Sequence, residues 1–372
     1  MQPTVQRIIS NSISGPKAER PLGYTNGLPA LLKKTLIPLS ELGQFLADES
    51  TTDYKKLRQQ FAKLTDESTQ EVRNGNKASV CGTLLGNVAK NRYTHILPYD
   101  RYRVILGRTW DDFQRLQTVQ PSLHSSVGNY INASYIGVCN TDINGKVFSQ
   151  ESIAKPRFIT TQDPLENTIG DFWKMVYEQQ VPTIIRLSES SEYKDEVLKY
   201  WPQEKGEKAS YATNPSKMWV RLLHEEQKPV WMERSFKIWL DGHKNLSMFV
   251  HHLQYVGWMT NCVPASTNLL KFIDDVTNPL VPIATTAGPM VVQCRGGIGR
   301  NGFFVAASLI KENIEMGIKG VDIYNTIKQL RNYQMALVNS VDYYIELHNF
   351  ALQAYLQAKG GGCKYLEYKE FD

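Results

Sequence analysis

The stretch VVQCRGGIGRNGFF, residues 291–304, constrains the fold more than any other part of the chain. An apolar run ends in a single cysteine, passes through a glycine-dense turn, and resumes at Arg300 in helix-forming sequence. The pattern predicts strand, tight loop and helix in direct succession. Gly296, Gly297 and Gly299 allow loop amides to point inward, because glycine reaches backbone conformations closed to other residues. Successive inward amides make an anion nest, and the helix that follows adds its positive end. Arg300 supplies a planar fork for two oxygens of a phosphate. The expected anion cradle is therefore Arg295, Gly296, Gly297, Ile298, Gly299 and Arg300. The same field should draw the thiol of Cys294 below its ordinary value of about 8.5. A thiolate beneath a phosphorus atom clamped by arginine is a nucleophilic phosphoryl-transfer site. The rival reading is a buried, inert cysteine before a glycine turn, against which the three glycines and the strand–turn–helix context weigh.

The rest of the chain limits what can surround this unit. Its 372 residues suffice for one large domain with a terminal extension or two modest ones, and 42% hydrophobic content implies a substantial core. A net charge of +5 without a dense Lys/Arg run does not suit a nucleic-acid binder. Cys81, Cys139, Cys262, Cys294 and Cys363 are scattered, which fits neither a disulfide framework nor zinc-ligand spacing, so no metal or other cofactor is expected. The first residues lack the apolar core of a signal peptide, and no segment approaches 18 uninterrupted apolar residues. The expectation is a soluble, reducing, cytoplasmic setting, although a protein delivered into another cell would read the same. Oligomeric state is not legible.

Residues 1–35 mix Ser, Pro, Gly and basic side chains and read as a flexible extension, 36–358 as the domain, and 359–372 as a loose tail. Helical spacing of apolar residues runs from Leu36 in two segments. The centre turns to short β-branched and aromatic runs: RYRVIL, YINASYI, RFITTQ, PTIIRLS, MWVRLLHEEQ, RSFKIWLDG and SMFVHHLQYVGW. DFWKMVYEQQ interrupts them as a helix, and helices dominate after residue 264. The fold class expected is α/β (α+β), a central mixed sheet with helices on both sides.

With these segments in order, the chain resembles the protein-tyrosine phosphatases. VVQCRGGIGRNG is similar to that family's signature Cys-x5-Arg loop, KNRYTHILPYDRYRVIL to its phosphotyrosine-recognition loop and following strand, and YINASYI to a core strand nearly letter for letter. FITTQDPLENTIGDFWKMVYEQ, YWP, VDIYNTIKQLRN and QMALVNS complete a likeness spanning roughly residues 36–356. The resemblance implies a highly twisted mixed sheet, Cys294 as nucleophile, and Arg300 as phosphate clamp. It also implies Tyr93 as the pocket wall that stacks on a substrate ring, and a phosphotyrosine-containing protein as partner. His95 stands where many members carry a peptide-gripping aspartate.

The departures from the family pattern fall on catalytic roles. YVGWMTNCVPAS keeps Trp258, but Met259 replaces a proline and Thr260 the aspartate that protonates the leaving oxygen. Threonine cannot donate a proton near neutral pH, and losing a positioned acid costs about 10²–10⁴-fold in rate. Gln293 replaces the histidine before the nucleophile, and Asn301 a hydroxyl that assists turnover. Asn339 stands for a water-positioning glutamine, and Tyr343 for a second glutamine. Arg295 reads either as a further cation at the mouth or as a solvated surface residue. Cys262 reads as a plain thiol or as a reversible disulfide partner of Cys294. Three functional expectations follow. The first is a phosphotyrosine-binding pseudophosphatase. The second is an active but slow phosphatase using another acid, with Asp195 or Glu196 as candidates. The third is a scaffold whose pocket is irrelevant. The missing acid separates the first two, and the retained Cys294 and Arg300 argue against the third.

Overall fold

The computed structural model describes residues 35–112, 128–148, 155–188, 199–259, 262–277 and 288–360. The extension to residue 34, most of the tail, Thr260, Asn261, Asp195, Glu196 and Cys363 lie outside the described residues.

In chain order the elements are β1 (Ile37–Pro38), α1 (Leu42–Ser50), α2 (Lys55–Arg73), α3 (Val80–Thr83), α4 (Leu85–Val88), β2 (Arg103–Ile105), β3 (Tyr130–Ile136), β4 (Asn140–Thr141), β5 (Val147–Phe148) and β6 (Phe158–Gln162). They continue as α5 (Ile169–Glu178), β7 (Thr183–Arg186), β8 (Lys208–Ala212), β9 (Lys217–Gln227), β10 (Trp231–Leu240), β11 (Met248–Tyr255), α6 (Ser266–Thr277), β12 (Met290–Cys294), α7 (Gly299–Glu315), β13 (Gly320–Val321), α8 (Ile323–Tyr333) and α9 (Val341–Ala358). The expected strands and helices are found, except that the helical run read from Leu36 begins only at Leu42, because Ile37 and Pro38 pair with Val321 and Gly320 as a short strand. The strand KASYA, β8, was not anticipated, since Lys, Ala and Ser carry little β preference.

The main sheet has nine strands in the order β2-β3-β6-β12-β7-β11-β10-β9-β8. β12 lies between β6 and β7 and runs parallel to both, and β11 continues the parallel block on β7. Antiparallel strands flank this block on either side. Every residue of β6 and β7 is buried, as expected of parallel strands covered on both faces.

Alternation along the strands sorts side chains between two helical layers. On one face Phe236 of β10 packs edge-on against Trp173 of α5, with centroids 5.4 Å apart. On the other, Tyr255 of β11 meets Phe272 of α6 at 5.2 Å, and Phe272 meets Phe304 of α7 at 6.0 Å. Helix α7 is buried over most of its length, because β12 and β6 lie on one side of it and α8 and α9 on the other. The carboxyl ends of β6, β7, β11 and β12 open along one edge, the place where open parallel sheets bind ligands.

Candidate functional site

Cys294 is the last residue of β12 and is buried. Its carbonyl accepts the amide of Asp163, 2.8 Å away, which ties the end of β12 to the end of β6. The chain then turns through Arg295–Ile298 into α7. Gly297 has φ +78°, and a Cβ there would stand 3.0 Å from the backbone of Thr161 and Gln162. No other residue fits this turn without displacing β6. The amides of Gly297 and Asn301 both point at the Cys294 sulfur.

The thiol departs from expectation. Burial pushes it up, and the Asp163 carboxylate adds to that, while the Asn301 and Gly297 amides and the Arg300 guanidinium pull it down. The net direction is upward. The loop field was expected to prevail; desolvation outweighs it here, because burial penalises the charged form.

Arg300, in the first turn of α7, is buried and donates from Nη1 to the Leu187 carbonyl, 2.9 Å away, at the end of β7. Ile298 precedes the helix and caps it with backbone carbonyl bonds to the amides of Gly302 and Val338. Arg295 is half-buried, and its Nε donates to the Tyr93 hydroxyl at 2.8 Å. It therefore braces the pocket wall. The Tyr93 ring lies 3.3 Å from where a Cβ on Gly296 would be. Exposed His95 lies next to it, with ring centroids 5.9 Å apart.

Remote strands hold the Tyr93 loop in place. The Gln162 side chain accepts from the Arg92 amide and donates to the Lys90 carbonyl, both at 2.9 Å. Asn91 is buried, and its Oδ1 accepts from the Tyr130 hydroxyl at 2.6 Å and from Asn132 at 2.9 Å. The motifs KNRY and YINASYI are thus one hydrogen-bonded unit.

Gln293 and Cys294 are adjacent, so strand alternation sends their side chains to opposite faces. Gln293 faces the α5 layer, where its Nε2 donates to Asp163 Oδ1 at 2.9 Å. Arg186 Nε approaches the same oxygen at 3.4 Å, and its guanidinium lies 5.2 Å from the Trp201 ring and 5.7 Å from that of Tyr200. Arg234 covers Trp201 at 4.7 Å. A buried polar layer beneath the loop thereby joins Gln293, Asp163, Arg186 and the YWP segment. Sequence reasoning missed Asp163 and Arg186, for which no local signal exists.

Asn301 points its carboxamide away from the thiol. Its Nδ2 donates to the carbonyls of Thr161 and Val292, each at 2.9 Å, and so fastens α7 to β6 and β12. Asn339 lies over the loop, with Oδ1 2.5 Å from a Cβ position on Gly299. It is carried by a turn in which Ala336 and Val338 take positive φ. The Arg331 guanidinium holds that turn through the carbonyls of Leu337 and Val338. Tyr343 packs against Phe303 and Trp258, at 5.5 and 6.2 Å, and its hydroxyl bonds to the Arg300 guanidinium. Burial pushes the phenol up, so it stays neutral and its oxygen accepts from the guanidinium. Trp258 Nε1 donates to the Cys262 carbonyl at 3.0 Å. Cys262 is exposed and Cys294 buried, and both are free thiols. Among the described residues, no three His, Cys, Asp or Glu side chains gather as a metal-ligand set.

Such a site can grip a dianionic oxyanion through loop amides and Arg300, beside an aromatic wall. Residues 87–353 match the family model described as protein-tyrosine phosphatase. The chain is 31% identical over 350 residues, 93% of its length, to receptor-type tyrosine-protein phosphatase V of Rattus norvegicus, covering 18% of that protein. It is 30% identical to phosphatidylinositol phosphatase PTPRQ of Rattus norvegicus over 92% of this chain and 13% of that one. With tyrosine-protein phosphatase non-receptor type 7 of Mus musculus it shares 31% identity over 71% of this chain and 63% of the relative. The chain thus spans less than two thirds of each relative's length.

Proposed function

Because the chain belongs to the protein-tyrosine phosphatase family, we propose that it is a catalytically impaired, cytoplasmic member, a pseudophosphatase that holds phosphotyrosine segments of a signalling protein. The observation that carries this reading is Thr260 at the position of the general acid. Attack of the Cys294 sulfur on phosphorus breaks the bond to the tyrosine oxygen, which must then take a proton. A threonine hydroxyl cannot supply it, so the first step loses about 10²–10⁴-fold.

Other residues support the same reading. The raised thiol leaves less of the nucleophilic thiolate, and Gln293 brings no positive charge to the strand end. The holding parts are kept: the loop amides, Arg300, and Tyr93 braced by Arg295. Tyr93 gives the pocket a depth suited to an aryl phosphate. The domain is taken as residues 36–358, between an extension and a tail.

The test is phosphate release from a phosphotyrosine peptide under single-turnover conditions, with wild type and Cys294→Ser, alongside peptide binding. The expected result is no release by either protein and retained binding that orthovanadate displaces. Release by wild type alone would establish a slow phosphatase with another acid, Asp195 or Glu196 being candidates. Neither release nor binding would leave a scaffold.

A further inference from the structure

Three cations face one another across the outer strands of the sheet. Lys208 of β8 is the register partner of Arg221 of β9, Arg221 that of Lys237 of β10, and Lys237 that of Phe249 of β11. Side chains directly opposite stand about 5 Å apart at Cβ, and like charges so placed destabilise a sheet. Among the described residues, none of these three cations forms an ion pair; on this face Lys217 pairs with Asp241, at 3.8 Å. The next row holds Trp219 and Trp239, stacked with centroids 6.0 Å apart and planes 8° from parallel. Lys208 and Lys217 lie 4.8 and 5.1 Å from the Trp219 ring. Beside them Phe249 is 63% and Leu246 59% exposed.

The core does not account for this arrangement. Met218, Val220, Leu222, Phe236 and Ile238 fill the opposite face, against α5. The outward face therefore breaks a rule of strand pairing with no ion pair to offset it. Arg221 donates to the Gly206 carbonyl at 3.1 Å, and Lys208 and Lys237 lie over the Trp219 and Phe249 rings. Among the described residues no carboxylate answers the three charges, and broken local rules of this kind mark sites shaped by a ligand. A flat row of cations fits an extended anionic surface. Half-buried Trp219, stacked on buried Trp239, suits the depth of lipid headgroups, where tryptophan is enriched. Leu246 and Phe249, in and just after the β10–β11 turn, supply apolar side chains that a soluble acidic partner would not require.

We infer that this outer face, through Lys208, Arg221, Lys237, Trp219, Leu246 and Phe249, docks on an anionic lipid bilayer. Phe249 lies near the start of β11, roughly 20 Å of strand from the carboxyl edge that bears Cys294. Docking therefore leaves the pocket open, and the inference stands apart from the reading of that pocket.

The experiment is co-sedimentation of the full chain with vesicles of phosphatidylcholine alone and with about a third phosphatidylserine. Partitioning is expected only into the anionic vesicles and should weaken with salt. Each cation near such a surface contributes roughly a fivefold factor, so Arg221→Gln/Lys237→Gln should reduce partitioning about 25-fold. That variant relieves like-charge contacts, so its thermal midpoint should not fall. Leu246→Ser/Phe249→Ser should weaken vesicle binding while leaving polyglutamate binding unchanged. No partitioning, equal partitioning into neutral vesicles, or indifference to the cation substitutions would overturn the inference. So would an unchanged partition after Leu246→Ser/Phe249→Ser, which would assign the face to a soluble acidic partner.

Discussion

Replacing Arg186 with methionine should destabilise the fold by about 3–5 kcal/mol, the usual cost of stranding one member of a buried ion pair. Arg186 is fully buried and its Nε lies 3.4 Å from Asp163 Oδ1. At an effective dielectric of about 20, Coulomb's law gives roughly 5 kcal/mol for that separation. Contacts with Trp201 and Tyr200 add about 1–2 kcal/mol when desolvated. Methionine has similar length and no charge, so the cavity left is small and the stranded carboxylate dominates. Asp163 would keep only the Gln293 amide, at 2.9 Å, among its side-chain partners in this layer. The double variant Arg186→Met/Asp163→Asn removes both charges and should recover to within about 1–2 kcal/mol of wild type. Urea unfolding followed by tryptophan fluorescence measures both, with unchanged slope as the check that only stability moved. A single substitution costing under about 1 kcal/mol, or a double no better than the single, would refute a charge pair as the support beneath the loop.

Three further outcomes are expected. Gly297→Ala forces a side chain into a positive φ and to within 3.0 Å of β6; it should cost about 1–3 kcal/mol and abolish orthovanadate binding, measured by calorimetry. Tyr343→Phe keeps the ring packing but loses the hydroxyl on Arg300, so stability should fall by only about 1 kcal/mol while oxyanion affinity falls about five- to tenfold, as expected for a charge-assisted bond. His348 is buried and lowered to about 4 by desolvation. The unfolded chain takes up its proton near 6.5 and the folded chain does not, so this contribution is complete above that pH. It is lost between about 6.5 and about 4, by roughly 3 kcal/mol in all. Unfolding of His348→Phe across that window should show a shallower pH slope, and an identical slope would exclude His348 as the source.

Legibility followed the range of the physics. The turn after Cys294 could be read because its glycines answer a local demand, and Gly297 does take the positive φ that demand implies. The strand YINASYI showed in its residues and matches β3 end to end. KASYA did not show, because its pairing with β9 rather than its composition makes it a strand. Asn301 was read as replacing a hydroxyl at the thiol, yet its side chain faces carbonyls of β6 and β12. The Cys294 thiol was expected to be lowered and is raised, since burial is a property of the whole fold.

What the sequence determined by itself was the order of elements, the strand–turn–helix cradle and the family of the fold, together with the absence of a carboxylic acid at position 260. These are written in periodicity, glycine placement and residue identity, each readable within a few neighbours. Tertiary structure decided which groups share a dielectric and a hydrogen bond. Gln293 meets Asp163 across 130 residues, Arg295 meets Tyr93 across 202, and Arg331 holds the turn that carries Asn339 over the loop. Which charges meet, and how much water they keep, depends on the packing of strands distant in the chain, and no local window of sequence holds that information.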